Sequence, residues 1–255
     1  MKRFTTKDKI GIAFIVVSIF VVLSFGYIAY DRNKKSLYDP NTLCPLVIPY
    51  ETTVVIIDKS DPWQRRDSLK IKRLLHHKMK NLKTYERLTI KVIEPNSWNE
   101  TEVKTYFDMC NPGRQANPLY QNPKRILKKY QENFQKPLDK ILHTLMQPKK
   151  SNSSPLLETL QDTLEFSESS NLKIILISDL LEYTEGGYNF YSHIPSPRQI
   201  IEEFSFPQNK LKVLSVEYIM RKHHRKKIYK ALKFFKRFTK ELGGQFKSQK
   251  LLQCK

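Results

Sequence analysis

The sequence predicts an α/β fold: a mostly parallel central sheet with helices on both faces, preceded by one transmembrane helix. Three observations carry that expectation. The runs Thr53 to Ile57 (TVVII) and Leu172 to Ile177 (LKIILI) have almost no polar alternation, the pattern of strands buried on both faces. Segments of helical period are interleaved with such runs. Residues 10–30 contain no charged side chain.

In order along the chain, residues 1–9 read as a basic N-terminal tail and 10–30 as the transmembrane helix. Its length at 1.5 Å per residue is about 30 Å, the thickness of a hydrocarbon core. Tyr27 and Tyr30 fall where an interfacial aromatic belt belongs. A cleaved signal peptide is the competing reading, but its apolar region is shorter and ends at a small-x-small site, which does not follow here. Lys2, Arg3, Lys7 and Lys9 precede the span, and Arg32, Lys34 and Lys35 follow it. The positive-inside rule tips slightly toward an inward N-terminus. The expected location of the large C-terminal part is therefore extracytoplasmic, the periplasm in the case of a bacterial inner membrane.

Residues 31–50 are polar and proline-containing, suiting a tether. An α/β domain then occupies 51–246, and 247–255 reads as a basic C-terminal tail. Leu69, Leu74, Leu75, Met79 and Leu82 recur at helical spacing. Leu88 to Ile93 is a second strand and Tyr106 to Met109 a weaker third. Text rich in Pro, Asn and Gly from Asn111 to Pro123 is loop. A helix from about Lys124 to Met146 is broken or kinked by Pro137. Ser154 is the expected cap of another helix, with Pro155 at its first position. Leu211 to Tyr218 is a strand, and a basic helix from about Arg225 to Leu242 closes at Gly243–Gly244.

Composition excludes several functions. Three cysteines rule out a disulfide scaffold and a thiolate zinc cluster. Seven glycines, with neither GxGxxG nor GxxxxGK[ST], argue against a glycine-rich nucleotide site. The formal charge is +20.

Chemistry concentrates where strands end. The first strand runs into Asp58-Lys59-Ser60-Asp61 and the strongest into Ser178-Asp179, with Ser153–Ser154 opening a helix between them in sequence. Carboxylates and hydroxyls at one sheet edge are hard oxygen ligands, suited to Mg²⁺, Mn²⁺ or Ca²⁺. The pattern resembles a von Willebrand factor A-like domain, whose metal-ion-dependent adhesion site uses Asp-x-Ser-x-Ser, a later Thr and a later Asp. The resemblance implies a metal set of Asp58, Ser60, Asp61, Ser153, Ser154 and Asp179, a bound divalent cation, and binding of a protein partner's carboxylate rather than catalysis. Pro62 stands at the third motif position, so one hydroxyl is missing and Asp61 is the neighbouring substitute.

Two rivals remain open. One is a metal-dependent nuclease or phosphoryl-transfer enzyme using Asp58, Asp61 and Asp179, which needs a further acid such as Glu94 or Glu182. The other is a structural membrane subunit with a vestigial site. The bland alternative for each aspartate is a turn former.

From Arg221 to Lys255 basic residues face Glu241 alone, with Phe234, Phe235 and Phe238 on one side. That helix reads as a solvated outer helix, then as a contact for anionic lipid; nucleic acid ranks last because no reading module accompanies it. His76–His77 and His223–His224 read as surface residues. In an oxidising compartment Cys44 pairs with Cys110 or with Cys254. Thr184 to Tyr191 is either a partner-contact loop or an ordinary loop packed by its own aromatics.

Overall fold

The computed structural model describes residues 6–34, 39–46, 51–60, 65–96, 100–115, 122–145, 147, 151–169 and 171–253. Asp61, Pro62 and Cys254 lie outside the described residues.

Helix α1 (Thr6–Lys34) contains an uncharged segment, Ile10–Tyr27, long and apolar enough to cross a membrane, and its side chains are exposed. The domain then alternates strands and helices: β1 (Thr52–Asp58), α2 (Arg65–Lys80), β2 (Arg87–Pro95), β3 (Thr101–Cys110), α3 (Pro123–Tyr130), α4 (Lys136–Leu145), α5 (Leu156–Glu165), β4 (Leu172–Ser178), α6 (Pro197–Glu203), β5 (Leu211–Met220), α7 (Arg225–Glu241) and β6 (Gln245–Gln253). The strands form one sheet in the order β3-β2-β1-β4-β5-β6. Every pairing is parallel except β2 with β3, a hairpin whose two strands need no crossover. This is the order of doubly wound α/β sheets.

β1 is buried along its whole length, because both of its faces meet helices. Val54 and Ile56 join a core with Leu156, Leu160, Phe235 and Phe238, under α5, α6 and α7. Val55 and Ile57 join a second core with Ile71, Leu75, Phe134 and Leu142, under α2, α3 and α4. Period-2 alternation within one strand thus feeds two hydrophobic layers.

Three sequence expectations are corrected, and the break expected at Pro137 takes the form of a π-turn over Gln131–Gln135, between α3 and α4. Pro137 supplies the reason: it has no N–H to give and its ring crowds the carbonyl four residues back, so Lys136 N–H reaches Gln131 C=O instead. The weak strand at Tyr106 to Met109 extends over Thr101–Cys110, since hairpin pairing with β2 overrides the polar outer face. The basic C-terminal tail is strand β6 from Gln245 to Gln253, paired parallel with β5. Ser154 does not cap α5; Pro155 occupies that position and the serine hydroxyl is engaged elsewhere. The close of α7 is as expected, with Gly243 at φ +81° returning its N–H to Lys240 C=O.

Cys44 and Cys110 are joined by a disulfide, with Cα atoms 4.8 Å apart. Beside it, Cys110 N–H donates to Thr42 C=O, so residues 39–44 are fastened to the end of β3.

Candidate functional site at the carboxyl ends of the parallel strands

β1 and β4 lie side by side in parallel register, with Ile57 opposite Ile177, so that Asp58 and Ser178 leave the sheet together. Asp58 is 4% exposed. Its Oδ1 accepts the Ser60 backbone N–H at 2.9 Å, the local turn that an aspartate after a strand makes. Its Oδ2 accepts two hydroxyls, from Ser154 at 2.9 Å and Ser178 at 2.8 Å. The carboxylate therefore ties β1, β4 and the segment before α5 into one knot. The adhesion-site pattern does not include Ser178; its place immediately before Asp179 on a strand end is the signal that points to it.

Asp179 leaves β4 beside this knot. Its Oδ1 accepts the Leu181 N–H at 3.1 Å, and its Oδ2 lies 3.8 Å from Nε of Arg221, which follows β5. Lys59, next to Asp58, is 2% exposed and has an interaction partner. Ser153 turns away from the aspartates: its hydroxyl donates to Thr101 Oγ1 at 2.6 Å. Ser60 contributes its backbone, with its carbonyl accepting the Ser151 N–H at 2.9 Å. Of the described candidates, the structure brings Asp58, Ser60 and Ser154 into direct hydrogen bonding, puts Asp179 on the adjoining strand end, and pairs Ser153 with β3.

The start of α5 is capped from a distance. Glu182 Oε2 accepts the Leu157 N–H at 2.9 Å, and Ser154 exchanges backbone hydrogen bonds with Tyr183. Burial pushes the Glu182 carboxyl up to about 8, against the opposing effect of the Leu157 and Leu156 N–H groups; the nearby Glu158 and Asp58 charges push it further up. Protons thus favour the folded state: the stabilisation is full below the unfolded value near 4.5 and is lost as pH rises to about 8. We expect stability to fall by about 1 kcal/mol per pH unit through the middle of that window, and less steeply toward its upper end. Denaturant titrations at pH 5, 6.5 and 8 check this, and Glu182→Gln, neutral throughout, is expected to flatten the slope.

Glu94, the other acid available to a catalytic cluster, accepts the Tyr106 hydroxyl. Among the described residues no three His, Cys, Asp or Glu side chains gather to hold an ion.

The edge is cation-rich. Arg221 is followed by Lys222, His223 and His224 and by Arg225, Lys226 and Lys227 in the first turn of α7, where no acid accompanies them. Positive charge there opposes the helix dipole. The loop after β4 folds against this turn: the Tyr191 ring lies 5.0 Å from that of His224 and 5.8 Å from Lys227 Nζ. Phe190 is buried against Phe234, while Tyr183 remains 38% exposed. One part of the loop is thus packed by its aromatics against α7 and the turn before it, and another, residues 185–187, faces solvent.

No protein-family model matches the sequence, and no curated protein matches it. Solved structures similar to it include the D319A mutant of the PilB minor pilin from Streptococcus sanguinis, at 11% identity and TM-score 0.47, covering 83% of this chain and 59% of that one. The conserved hypothetical protein BatB from Bacteroides thetaiotaomicron matches at 10% identity and TM-score 0.40, covering 78% and 90%. The ArnB paralog VWA2 from Sulfolobus acidocaldarius matches at 15% identity and TM-score 0.38, covering 81% and 44%. The chain spans less than two thirds of the pilin and of the Sulfolobus protein. The architecture itself stands on the strand order and register: a mostly parallel α/β sheet layered by helices, with one apolar N-terminal helix.

Proposed function

We propose that this chain is a membrane-anchored von Willebrand A-like interaction module that holds an acidic segment of a protein partner at the carboxyl edge of its sheet. The observation that carries the reading is the guanidinium of Arg221 beside Asp179, continued by the cations that open α7. Such a cluster opposes the helix dipole, and an incoming carboxylate relieves that repulsion.

A divalent ion fits these residues poorly. Both oxygens of Asp58 already accept protein donors, and Oδ2 accepts two. Asp179 faces a guanidinium. An ion bound at Asp58, Ser60, Ser154 and Asp179 would have to displace these contacts and enter against the Arg221 guanidinium. In the proposed mode the arginine takes over the role of gripping the partner's carboxylate, and no step passes through a metal.

Anchoring through residues 10–30 and an extracytoplasmic domain complete the proposal. The Cys44–Cys110 disulfide supports that side of the membrane, because such bonds persist in oxidising compartments.

The test uses the full chain in neutral-lipid nanodiscs and a fluorescent oligo-glutamate peptide as probe. Binding is expected to weaken as salt rises, to be indifferent to EDTA, and to drop at least tenfold in Arg221→Glu/Lys222→Glu. Binding that appears only with added Mg²⁺ or Mn²⁺ would reinstate the metal site and overturn this mode.

A further inference from the structure

The way the chain leaves α1 fixes which end of the domain is held near the bilayer. Helix α1 ends at Lys34, and Asp39 already belongs to the packed segment: its N–H donates to Cys44 C=O, and its C=O accepts the Leu43 N–H. The disulfide and the Cys110–Thr42 hydrogen bond pin that segment to the end of β3. β3 runs antiparallel to β2, and Cys110 stands opposite Arg87 at the amino end of β2. The attachment point is therefore at the amino edge of the parallel strands, opposite to Asp58 and Asp179. The covalent link from Lys34 to Asp39 spans at most about 18 Å.

That edge has the surface an anionic bilayer requires. α2 and α7 both run down to it, ending in the exposed Lys80 and Lys240. Arg114, Lys83, Lys212 and Lys247 are exposed on the adjoining loops and strand starts. Of the acids there, Glu51 is bound by Lys173 and Lys83, which hold its carboxyl down to about 2, Asp108 pairs with Arg87, Glu168 lies 3.8 Å from Arg87 and Glu86 lies 3.5 Å from Lys173; Asp39, Glu165, Glu202, Glu203 and Glu241 are also at or near this edge. Phe166, in the α5–β4 loop of the same edge, is 77% exposed. Basic side chains around a projecting phenylalanine match headgroup charge and the acyl boundary beneath it. Electrostatic attraction to a bilayer decays over about 8 Å at physiological salt, while a seven-residue strand is about 23 Å long. Only the tethered edge is in range.

We propose that the amino edge of the sheet, around Lys80, Arg114, Phe166, Lys212 and Lys240, docks on anionic phospholipid headgroups of the membrane that α1 spans. This rests on the anchored reading. It makes the orientation a property of the domain surface as well as of the tether.

The experiment uses the full chain, with Cys254→Ser, in nanodiscs of neutral phospholipid with or without 30% anionic phospholipid by design (about one charged lipid in three, on the scale of an anionic leaflet). A nitroxide is placed at Phe166→Cys or, on the opposite edge, at Glu185→Cys, and a headgroup-chelated nickel lipid reports proximity. With anionic lipid the label at 166 is expected to relax several-fold faster than the label at 185. A second version keeps Phe166 and carries the nitroxide at Gln208→Cys of the same edge, with Lys212→Glu/Lys240→Glu expected to erase the contrast. Equal relaxation at both edges in chain retained by the discs overturns the docking proposal, as does a contrast indifferent to anionic lipid. Chain released from the discs by an alkaline wash overturns the anchored reading itself.

Discussion

Asp58→Ala is expected to destabilise the domain by about 3–5 kcal/mol, because it removes a buried charged acceptor and leaves its donors unpaired. Those donors are the Ser154 and Ser178 hydroxyls and the Ser60 N–H, drawn from three separate segments. Asn in place of Asp keeps one carbonyl oxygen, and serine hydroxyls can rotate to accept from its amide. Asp58→Asn is therefore expected to lose only about 1–2 kcal/mol. Ser154→Ala and Ser178→Ala each delete one donor to the same oxygen, so their double variant should depart from additivity. Guanidinium titrations of these variants measure all of this. A loss under about 1 kcal/mol for Asp58→Ala, the scale of one ordinary hydrogen bond, would mean that the knot does not secure β1 to β4 and α5.

Opening the Cys44–Cys110 disulfide is the other large effect. The bond closes a loop across a sequence separation of 66 residues. Chain entropy alone assigns about 4 kcal/mol to a loop of that size. For a domain of this length that corresponds to roughly 10 °C in Tm. Melting curves of the full chain with and without reductant, compared with Cys44→Ser/Cys110→Ser, check the value. The double serine variant should melt at the reduced temperature and ignore reductant. Because the bond holds residues 39–44, its loss should also expose the Leu43 and Cys110 amides to hydrogen exchange well before those of β1 and β4.

The elements legible in the sequence are those whose burial is one-dimensional. β1 and β4 announce themselves as aliphatic runs because both faces are covered, and α2 and α7 through their helical period. β6 escapes because its text, QFKSQKLLQ, is that of an edge strand with polar groups facing out. α6 escapes because it is a single short element, though Ser196 caps it through Gln199 N–H and Pro197 follows.

The site divides along the same line. That Asp58 and Asp179 end neighbouring strands follows from pattern; what they touch does not. Ser154 sits before Pro155 like a helix cap, yet its hydroxyl goes to an aspartate 96 residues away. The acid that does cap α5 is Glu182, 25 residues downstream of the amide it accepts. Contacts of that separation depend on the packed sheet and leave no local trace. The Arg221–Asp179 pairing, which turns the reading from metal to arginine, is of the same kind.

The clip at Cys110 also sets a height. In the proposed docked arrangement the partner-facing rim stands about one strand length, roughly 23 Å, above the lipid, and the extended link from Lys34 allows at most about 40 Å. A protein lying flat on the lipid would pass beneath that rim. In the proposed arrangement the module meets a partner that rises from the membrane or approaches from the aqueous side.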